Sequence, residues 1–274
     1  MQRLRNFPPP SARLELAAIL CIAWALFVAI PVSLGGIGLS WDALNHHIYL
    51  GWIAEHPRFD RDFLAASYQS FQYPYLYWPF YKLFQTGMPG TWAGAVLASI
   101  NLAAVPPLWM LARRCVAEAS WYGVAMRVLG VALAFLTGVV LSLFDSTAND
   151  VMASIPLVWA IALAMEPSAA PTGSVLAPAR LPLLSGLFAG ASVAFKLSNG
   201  PLAILMPLLW VLHGRSWPER GAHVVWGCVA TLVGFLVFYG YWGWLLWTWY
   251  GDPVYPFYDY WFEGLRAWTG WRQP

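Results

Sequence analysis

The chain has 274 residues, of which 59% are hydrophobic and only 10% are charged, and its mean hydropathy is +0.56. Few water-soluble domains have this composition, so we predict an all-α, polytopic membrane protein with one transmembrane domain over residues 1–274. The net charge of +2 is too small to indicate a nucleic-acid partner. The three cysteines stand far apart in or beside apolar segments, which indicates neither a disulfide framework nor a cysteine metal site.

The N-terminal part of the chain begins with arginines and then becomes apolar. Residues 14–34 are long enough for a transmembrane helix, and they are too long for the apolar part of a signal peptide. Residues 36–90 are predicted to be a loop that carries interfacial helices. Within this loop, the run of Tyr, Trp and Pro at residues 73–84 favours contact with a membrane interface over a span.

The rest of the chain alternates apolar and polar segments. Three further spans are predicted at residues 91–111, 121–144 and 151–165, and residues 166–180 read as a Pro- and Ser-rich loop. The pair 181–197 and 201–212 is short for a bilayer core of about 30 Å, because 12 helical residues rise about 18 Å. Whether this pair crosses twice stays open. Residues 222–249 predict the last span, and an aromatic, polar tail follows at 250–274.

The basic residues are distributed unevenly between the predicted loops. With the N-terminus inside, nine of the fifteen Lys and Arg fall on the inner side, which agrees with the positive-inside rule. Counting the 181–212 pair as two crossings predicts about seven transmembrane helices. The 36–90 loop and the 250–274 tail then lie outside.

Residues 40–55 predict an amphipathic helix within the outer loop. Helical spacing gives it one polar and one apolar face, made respectively of Asp42, Asn45, His46 and Tyr49, and of Trp41, Leu44, Ile48 and Trp52. Such a helix can lie at a membrane surface with its polar side toward a cavity. An acid and a histidine one turn apart, Asp42 and His46, could bind a metal ion, take a proton or hold a phosphate. The alternative is a plain interfacial helix with a wetted face.

The predicted topology collects most acids and one lysine on the outer side. Ionisable groups at membrane depth are costly and usually functional, so they indicate a site there. The candidate substrate-binding residues are His46, His47, Tyr49, Asp145, Asn149, Asp150, Lys196 and Asn199. Each has a structural alternative: the acids could cap helices or form turns, and Lys196 could simply extend to the membrane surface.

Four stretches resemble, in order, motifs of the GT-C superfamily of bacterial membrane glycosyltransferases, closest to its GT87-like and ArnT-like groups. The stretches are WDALNHHIYLGWI at 41–53, FDSTANDV at 144–151, GLFAGASVAFKLSNG at 186–200 and YGDPVYPFYDYWF at 250–262. In the last stretch, Asp252 and Asp259 stand where Asn is usual. Members of this superfamily are commonly longer, so the chain resembles a short or truncated one.

The resemblance implies a hexosyl- or pentosyltransferase of the bacterial inner membrane with a cytoplasmic N-terminus. Its donor would be a polyprenyl-phosphate-linked sugar, and its acceptor a cell-envelope glycan or lipid at an outward-facing cavity among membrane lipids. The resemblance makes Asp42 the catalytic or metal-associated acid, with Asp42 and His46 as candidate ligands of a divalent cation such as Mg or Mn. A carboxylate could take the acceptor's proton, and Lys196, a histidine or a metal could balance the leaving phosphate.

Two other functions stay open at this point. A transporter of lipid-linked sugars would carry polar residues through its spans to both sides, whereas this chain concentrates them on one. An inactive or accessory membrane protein would fit a truncated chain. Loss of activity on substituting Asp42 would separate the transferase from the accessory protein.

Overall fold

In the computed structural model of the protein, the described residues are 8–62, 65–167, 180–213 and 216–273. Within these ranges the protein is helical apart from turns and one four-residue extended segment, Ala65–Tyr68. This confirms the predicted all-α class. Most of the predicted loop at 166–180 lies outside the described residues.

Among the described residues, three helices are long and apolar enough to cross a membrane, and they match the predicted first, second and last spans. They are α1 at Ala12–Leu34, the segment Gly90–Cys115, and α12 at Trp217–Tyr250. The segment Gly90–Cys115 consists of α4 at Gly90–Ile100, a 3-10 turn at Asn101–Ala104 and α5 at Val105–Cys115. The 3-10 turn is explained by Pro106 and Pro107, which lack the backbone N–H groups that would continue the α-helical pattern.

Helices α1, α5 and α6 (Trp121–Phe135) are joined by a buried ion pair. Arg127 of α6 donates two hydrogen bonds of 2.7 Å to the carboxylate of Glu15, and Trp109 donates a third of 2.9 Å. Arg127 also donates to the carbonyl oxygens of Val116 and Glu118. A buried charge needs this degree of pairing, so Arg127 ties three helices together within the apolar region.

The predicted third span is not one continuous helix. Helix α6 ends at Phe135, and the short helix α7, Gly138–Ser142, follows. Thr137 begins α7, because its hydroxyl accepts a hydrogen bond from the amide of Val140. The prediction of one continuous helix over residues 121–144 is therefore wrong. Helix α8 then runs over Asp150–Met165, so the residues predicted as the fourth span form one helix.

The chain doubles back between α9, at Arg180–Phe195, and the short helices α10 and α11, at Gly200–Ile204 and Met206–Trp210. Trp210 donates a hydrogen bond of 2.9 Å to the hydroxyl of Ser185. Trp210, near the end of the second limb, therefore lies beside Ser185, near the start of the first limb. The two limbs form an antiparallel hairpin of similar extent, with its corner at residues 196–199.

Glycines let α9 pack closely against α12. A Cβ atom at Gly190 would lie only 2.0 Å from the carbonyl oxygen of Thr231, and one at Gly234 would lie 2.2 Å from that of Leu187. Small residues permit this approach of two backbones. The close contact fixes the end of α9, and with it the 196–199 corner, relative to the end of α12.

The predicted helix at 40–55 is present, but its first turn is wider than expected. Residues Ala43–His47 form a π-helical turn, closed by a hydrogen bond from the Ile48 amide to the Ala43 carbonyl, and α2 follows at Ile48–Ile53. Both His46 and His47 are buried in this turn, whereas Asp42 is exposed. The remaining loop helix is α3 at Trp78–Gln85.

The predicted tail also contains a helix. After the end of α12 the chain forms a turn over residues 252–258 and then α13, Asp259–Thr269. The residues just after α13 contact the last turns of α12, because the indole of Trp271 donates a hydrogen bond of 2.9 Å to the carbonyl oxygen of Trp247.

Candidate functional site

Polar residues from separate parts of the chain meet where α8 begins and α9 ends. The ammonium of Lys196 donates a hydrogen bond to the carboxylate of Asp150. Nδ1 of His47 lies 2.6 Å from the hydroxyl of Thr147. These two contacts join the 36–90 loop, the 144–151 corner and the 196–199 corner, which carry three of the four stretches on which the resemblance rests.

The fourth stretch joins them through aromatic contacts. Trp242 of α12 donates a hydrogen bond of 3.1 Å to the carbonyl oxygen of Phe71. The ring of Phe71 lies 4.8 Å from that of Tyr255, measured between centroids. The 252–258 turn therefore packs on the 36–90 loop beside the two polar corners.

A cavity of about 350 Å³ lies at this meeting point. Its lining residues are Phe71, Gln72, Tyr73, Tyr77, Asn149, Phe195, Lys196, Leu197, Ser198, Pro201, Tyr239, Phe257 and Tyr258. The volume falls in the range of small-molecule sites, about 300–1,000 Å³. Aromatic walls with one cation and two amide side chains suit a ligand that carries both apolar or ring surface and an anionic or hydroxyl group.

His47 supports the wall of the cavity. Its ring stacks on Tyr77 at 4.7 Å between centroids, and Tyr77 and Asn149 both line the cavity. Burial, with a smaller contribution from neighbouring His46, lowers the pKa of His47 to about 4, against the opposing charges of Asp42 and Asp150. His47 is therefore neutral at pH 7, and we assign it a positioning role behind Tyr77.

Asp42 lies near the same end of the molecule but outside the lining of the cavity. Its side chain is 55% exposed, and its Oδ1 is 3.8 Å from Nδ1 of His46. That nitrogen is buried and has no hydrogen-bond partner among the described residues. Burial lowers the pKa of His46, and the carboxylate of Asp42 opposes this effect. An exposed carboxylate at this position is accessible to a molecule that approaches the protein from solvent.

The side chains near Asp42 limit which metal ion could bind there. Within the described ranges, no three His, Cys, Asp or Glu side chains lie close enough to hold a metal ion. A catalytic zinc site usually has three protein ligands, which Asp42 and His46 alone do not supply. One carboxylate does fit Mg²⁺ or Mn²⁺, which can take remaining ligands from phosphate oxygens and water.

Of the nine predicted site residues, Asn149 and Lys196 line the cavity, and three of the other seven serve the structure around it. The hydroxyl of Tyr49 is buried among aromatic side chains, and burial raises its pKa to about 12. The backbone carbonyl of Asp145 accepts a hydrogen bond of 2.6 Å from Gly38. The amide of Asn199 donates to the carbonyl oxygens of Ala153 and Ser192, both at 3.1 Å, and so braces the 196–199 corner.

Sequence reasoning missed the aromatic residues that form the cavity. Tyr73 stacks between Tyr239 and Phe195, with centroid distances of 6.0 and 5.9 Å. Tyr73 belongs to the run interpreted as interfacial, and Tyr239 lies within the predicted last span. A phenol in the middle of an apolar span was the one signal that could have identified Tyr239.

Asp252 stands in the sequence where the resembled motif has Asn, and the structure buries it completely. Its Oδ1 accepts a hydrogen bond of 2.8 Å from the amide of Val254, whereas Oδ2 has no partner in the described part of the chain. Burial raises the pKa of Asp252 to about 6. The carboxyl group thus holds the turn that carries Phe257 and Tyr258 to the cavity.

Comparison of the chain with models of protein families, with curated proteins and with solved structures finds no match. The function of the protein is therefore inferred from the cavity and the residues around it.

Proposed function

We propose that the chain is a polytopic membrane glycosyltransferase of the GT-C type. It transfers a hexosyl or pentosyl group from a polyprenyl-phosphate donor to a cell-envelope glycan or lipid on the outer face of the bacterial inner membrane. The observation that carries the proposal is the cavity in which Lys196 and Asn149 face aromatic side chains at the ends of apolar helices. A lipid-linked sugar combines an apolar tail, an anionic phosphate and a hydroxylated ring, and this lining offers a partner to each.

The helical path supports a multi-pass arrangement. Three helices are long enough to span, and four shorter apolar segments lie between them. The shorter segments are α6, α8, α9 and Leu197–Trp210. Together they make seven passes, with the polar corners at 145–150 and 196–199 at the same end of the molecule. The arginine distribution then puts the N-terminus in the cytoplasm and the cavity outside.

Lys196 is the proposed partner of the donor phosphate. As the bond between the anomeric carbon and the phosphate oxygen breaks, negative charge grows on the leaving phosphate, and a fixed cation stabilises it. Lys196 lines the cavity, and its side chain is 37% exposed. Because Asp150 already pairs with this ammonium, the phosphate has to share it or take the place of the carboxylate.

Asp42 is the proposed general base. The acceptor hydroxyl attacks the anomeric carbon and loses its proton, which a nearby carboxylate can accept. The exposed position of Asp42 leaves room for a large acceptor. A divalent cation, if bound, would be held by Asp42 and would supply positive charge to balance the leaving phosphate.

The test is Asp42→Asn, which removes the charge and keeps a residue that can begin a helix. Transfer from polyprenyl-phosphate-glucose and polyprenyl-phosphate-arabinose is measured in membranes with equal amounts of protein. We expect the rate to fall by about 10² or more with the donor that the protein uses. Asp60→Asn, at an exposed acid of the same loop, is the control and should be neutral. Transfer at the normal rate by Asp42→Asn would exclude Asp42 as the base.

A further inference from the structure

The outer surface of α13 has an unusual distribution of polar and apolar residues. Trp261, Leu265 and Trp268 lie at i, i+4 and i+7 and so share one face. Trp261 is 79% exposed and Trp268 is 83% exposed. Gly264 continues this face, and a Cβ atom there would meet open space. The face that points away from the protein is therefore apolar.

The charged residues of α13 lie on its other side. Arg266 is mostly buried, and its guanidinium donates a hydrogen bond of 2.6 Å to the carboxylate of Asp259. Its aliphatic stem packs on Gly251, where an added Cβ would lie 2.4 Å from Cδ of Arg266. Glu263, on the same side of the helix as Asp259 and Arg266, is exposed, so α13 presents a polar edge to water and an apolar face away from the protein.

The exposed apolar surface of α12 locates α13 relative to a bilayer. Its continuous part extends from Val225 to Trp244, separated from the exposed Trp217 by the charged Glu219 and Arg220, and this part of the helix rises about 29 Å. The length matches a hydrocarbon core of about 30 Å. Trp271, just after α13, is bonded to Trp247, and Arg266 packs on Gly251. The C-terminal end of α13 is thus held about 5–10 Å beyond the end of that surface, which is the depth of the lipid headgroups.

We propose that α13 lies in the headgroup region of the membrane and inserts Trp261, Leu265 and Trp268 into its lipid surface. Amphipathic helices of this kind bury their apolar face about 5–10 Å into the boundary between headgroups and acyl chains, and tryptophan favours this depth. Tyr258, which immediately precedes α13, lines the cavity. The lipid-bound helix therefore holds one wall of the cavity at the bilayer surface.

Site-directed spin labelling of the full chain tests this proposal, after the three native cysteines, Cys21, Cys115 and Cys228, are replaced by serine. Trp268→Cys places the label on the apolar face, and Glu263→Cys is the matched control on the charged side of the same helix. The labelled protein is placed in vesicles of phosphatidylethanolamine and phosphatidylglycerol. Collisions with oxygen, which concentrates in lipid, are compared with collisions with a water-soluble nickel chelate.

We expect the label at 268 to collide more with oxygen than with the chelate, and the order to be reversed at 263. Trp261→Cys and Ala267→Cys provide a second pair if a label at 268 prevents folding. Equal access of the chelate to both faces would overturn the proposal, because it would mean that water covers α13. Protection of 268 from both reagents would also overturn it, since another protein surface would then cover the helix. Neither result depends on sugar transfer, so this proposal and the proposed function can fail separately.

Discussion

Lys196 and Asp150 form an ion pair across 46 positions of sequence, between the corner that follows α9 and the first turn of α8. The side chains are 37% and 52% exposed, so the pair adds at most about 1 kcal/mol to the free energy of unfolding. Its main consequence is positional. The carboxylate holds the ammonium at the wall of the cavity, and the N-terminal end of α8 favours the negative charge of Asp150.

Lys196→Met should weaken binding of the polyprenyl-phosphate sugar. The substitution keeps most of the apolar stem and removes the charge, and a hydrogen bond to a charged group contributes about 1.5–3 kcal/mol, or about 10- to 150-fold in affinity. Binding is measured by titration of the purified protein in nanodiscs. Lys196→Arg should retain part of the affinity. Lys82→Met, at a lysine paired with Glu55 away from the cavity, is the control. Unchanged affinity in Lys196→Met would remove Lys196 from the site.

Asp150→Asn should have the opposite effect on the same titration. Without the carboxylate, the ammonium of Lys196 is free to meet the donor phosphate, so we expect affinity to rise several-fold. The free energy of unfolding should change by less than about 1 kcal/mol, because the pair is exposed. A large loss of donor binding, with stability retained, would mean that Asp150 itself contacts the sugar.

Asp252→Asn should stabilise the protein above pH 6. The unfolded pKa of an Asp is 3.8 and the folded pKa here is about 6, so the folded state binds the proton more tightly. Ionising the buried group then costs the folded state up to about 3 kcal/mol as pH rises from 3.8 through 6. Asparagine keeps the oxygen that accepts from Val254 and carries no charge.

The expected gain for Asp252→Asn is about 1–2 kcal/mol at pH 7.5, since the unpartnered amide group still has a desolvation cost. Near pH 4 the variant and the natural protein should unfold alike. Denaturant unfolding in detergent micelles at the two pH values measures the difference. A variant that is less stable than the natural protein at pH 7.5 would contradict this account of Asp252.

The proposed topology predicts different labelling at two exposed positions. After the three exposed native cysteines are replaced by serine, Ser67→Cys should react with a membrane-impermeant maleimide in intact cells, and Ala117→Cys only after lysis. Positions 67 and 117 are both exposed, so access to the reagent depends on the side of the membrane. The reverse pattern would place the cavity inside the cell and contradict the proposed function.

Properties that depend on neighbouring residues in the chain could be predicted from the sequence. Apolar length predicted the three long helices, because the backbone of an apolar segment satisfies its own hydrogen bonds only as a helix. The polar corners at 145–150 and 196–199 were also predicted, since Asp, Asn, Ser and Gly favour turns. Their location on one side followed from the spacing of the spans, and the structure brings Asp150 and Lys196 into contact.

Tertiary structure decided what each polar residue does. Nothing in the local sequence distinguishes His46 from His47, yet His47 meets Thr147, 100 positions away. The local sequence also does not reveal that Asn199 braces the 196–199 corner or that Asp252 is buried behind a turn. The cavity itself depends on α12 meeting a loop 171 positions earlier, through Trp242 and Phe71. Such contacts arise from packing between distant segments, and burial, pKa and access to ligand follow from that packing.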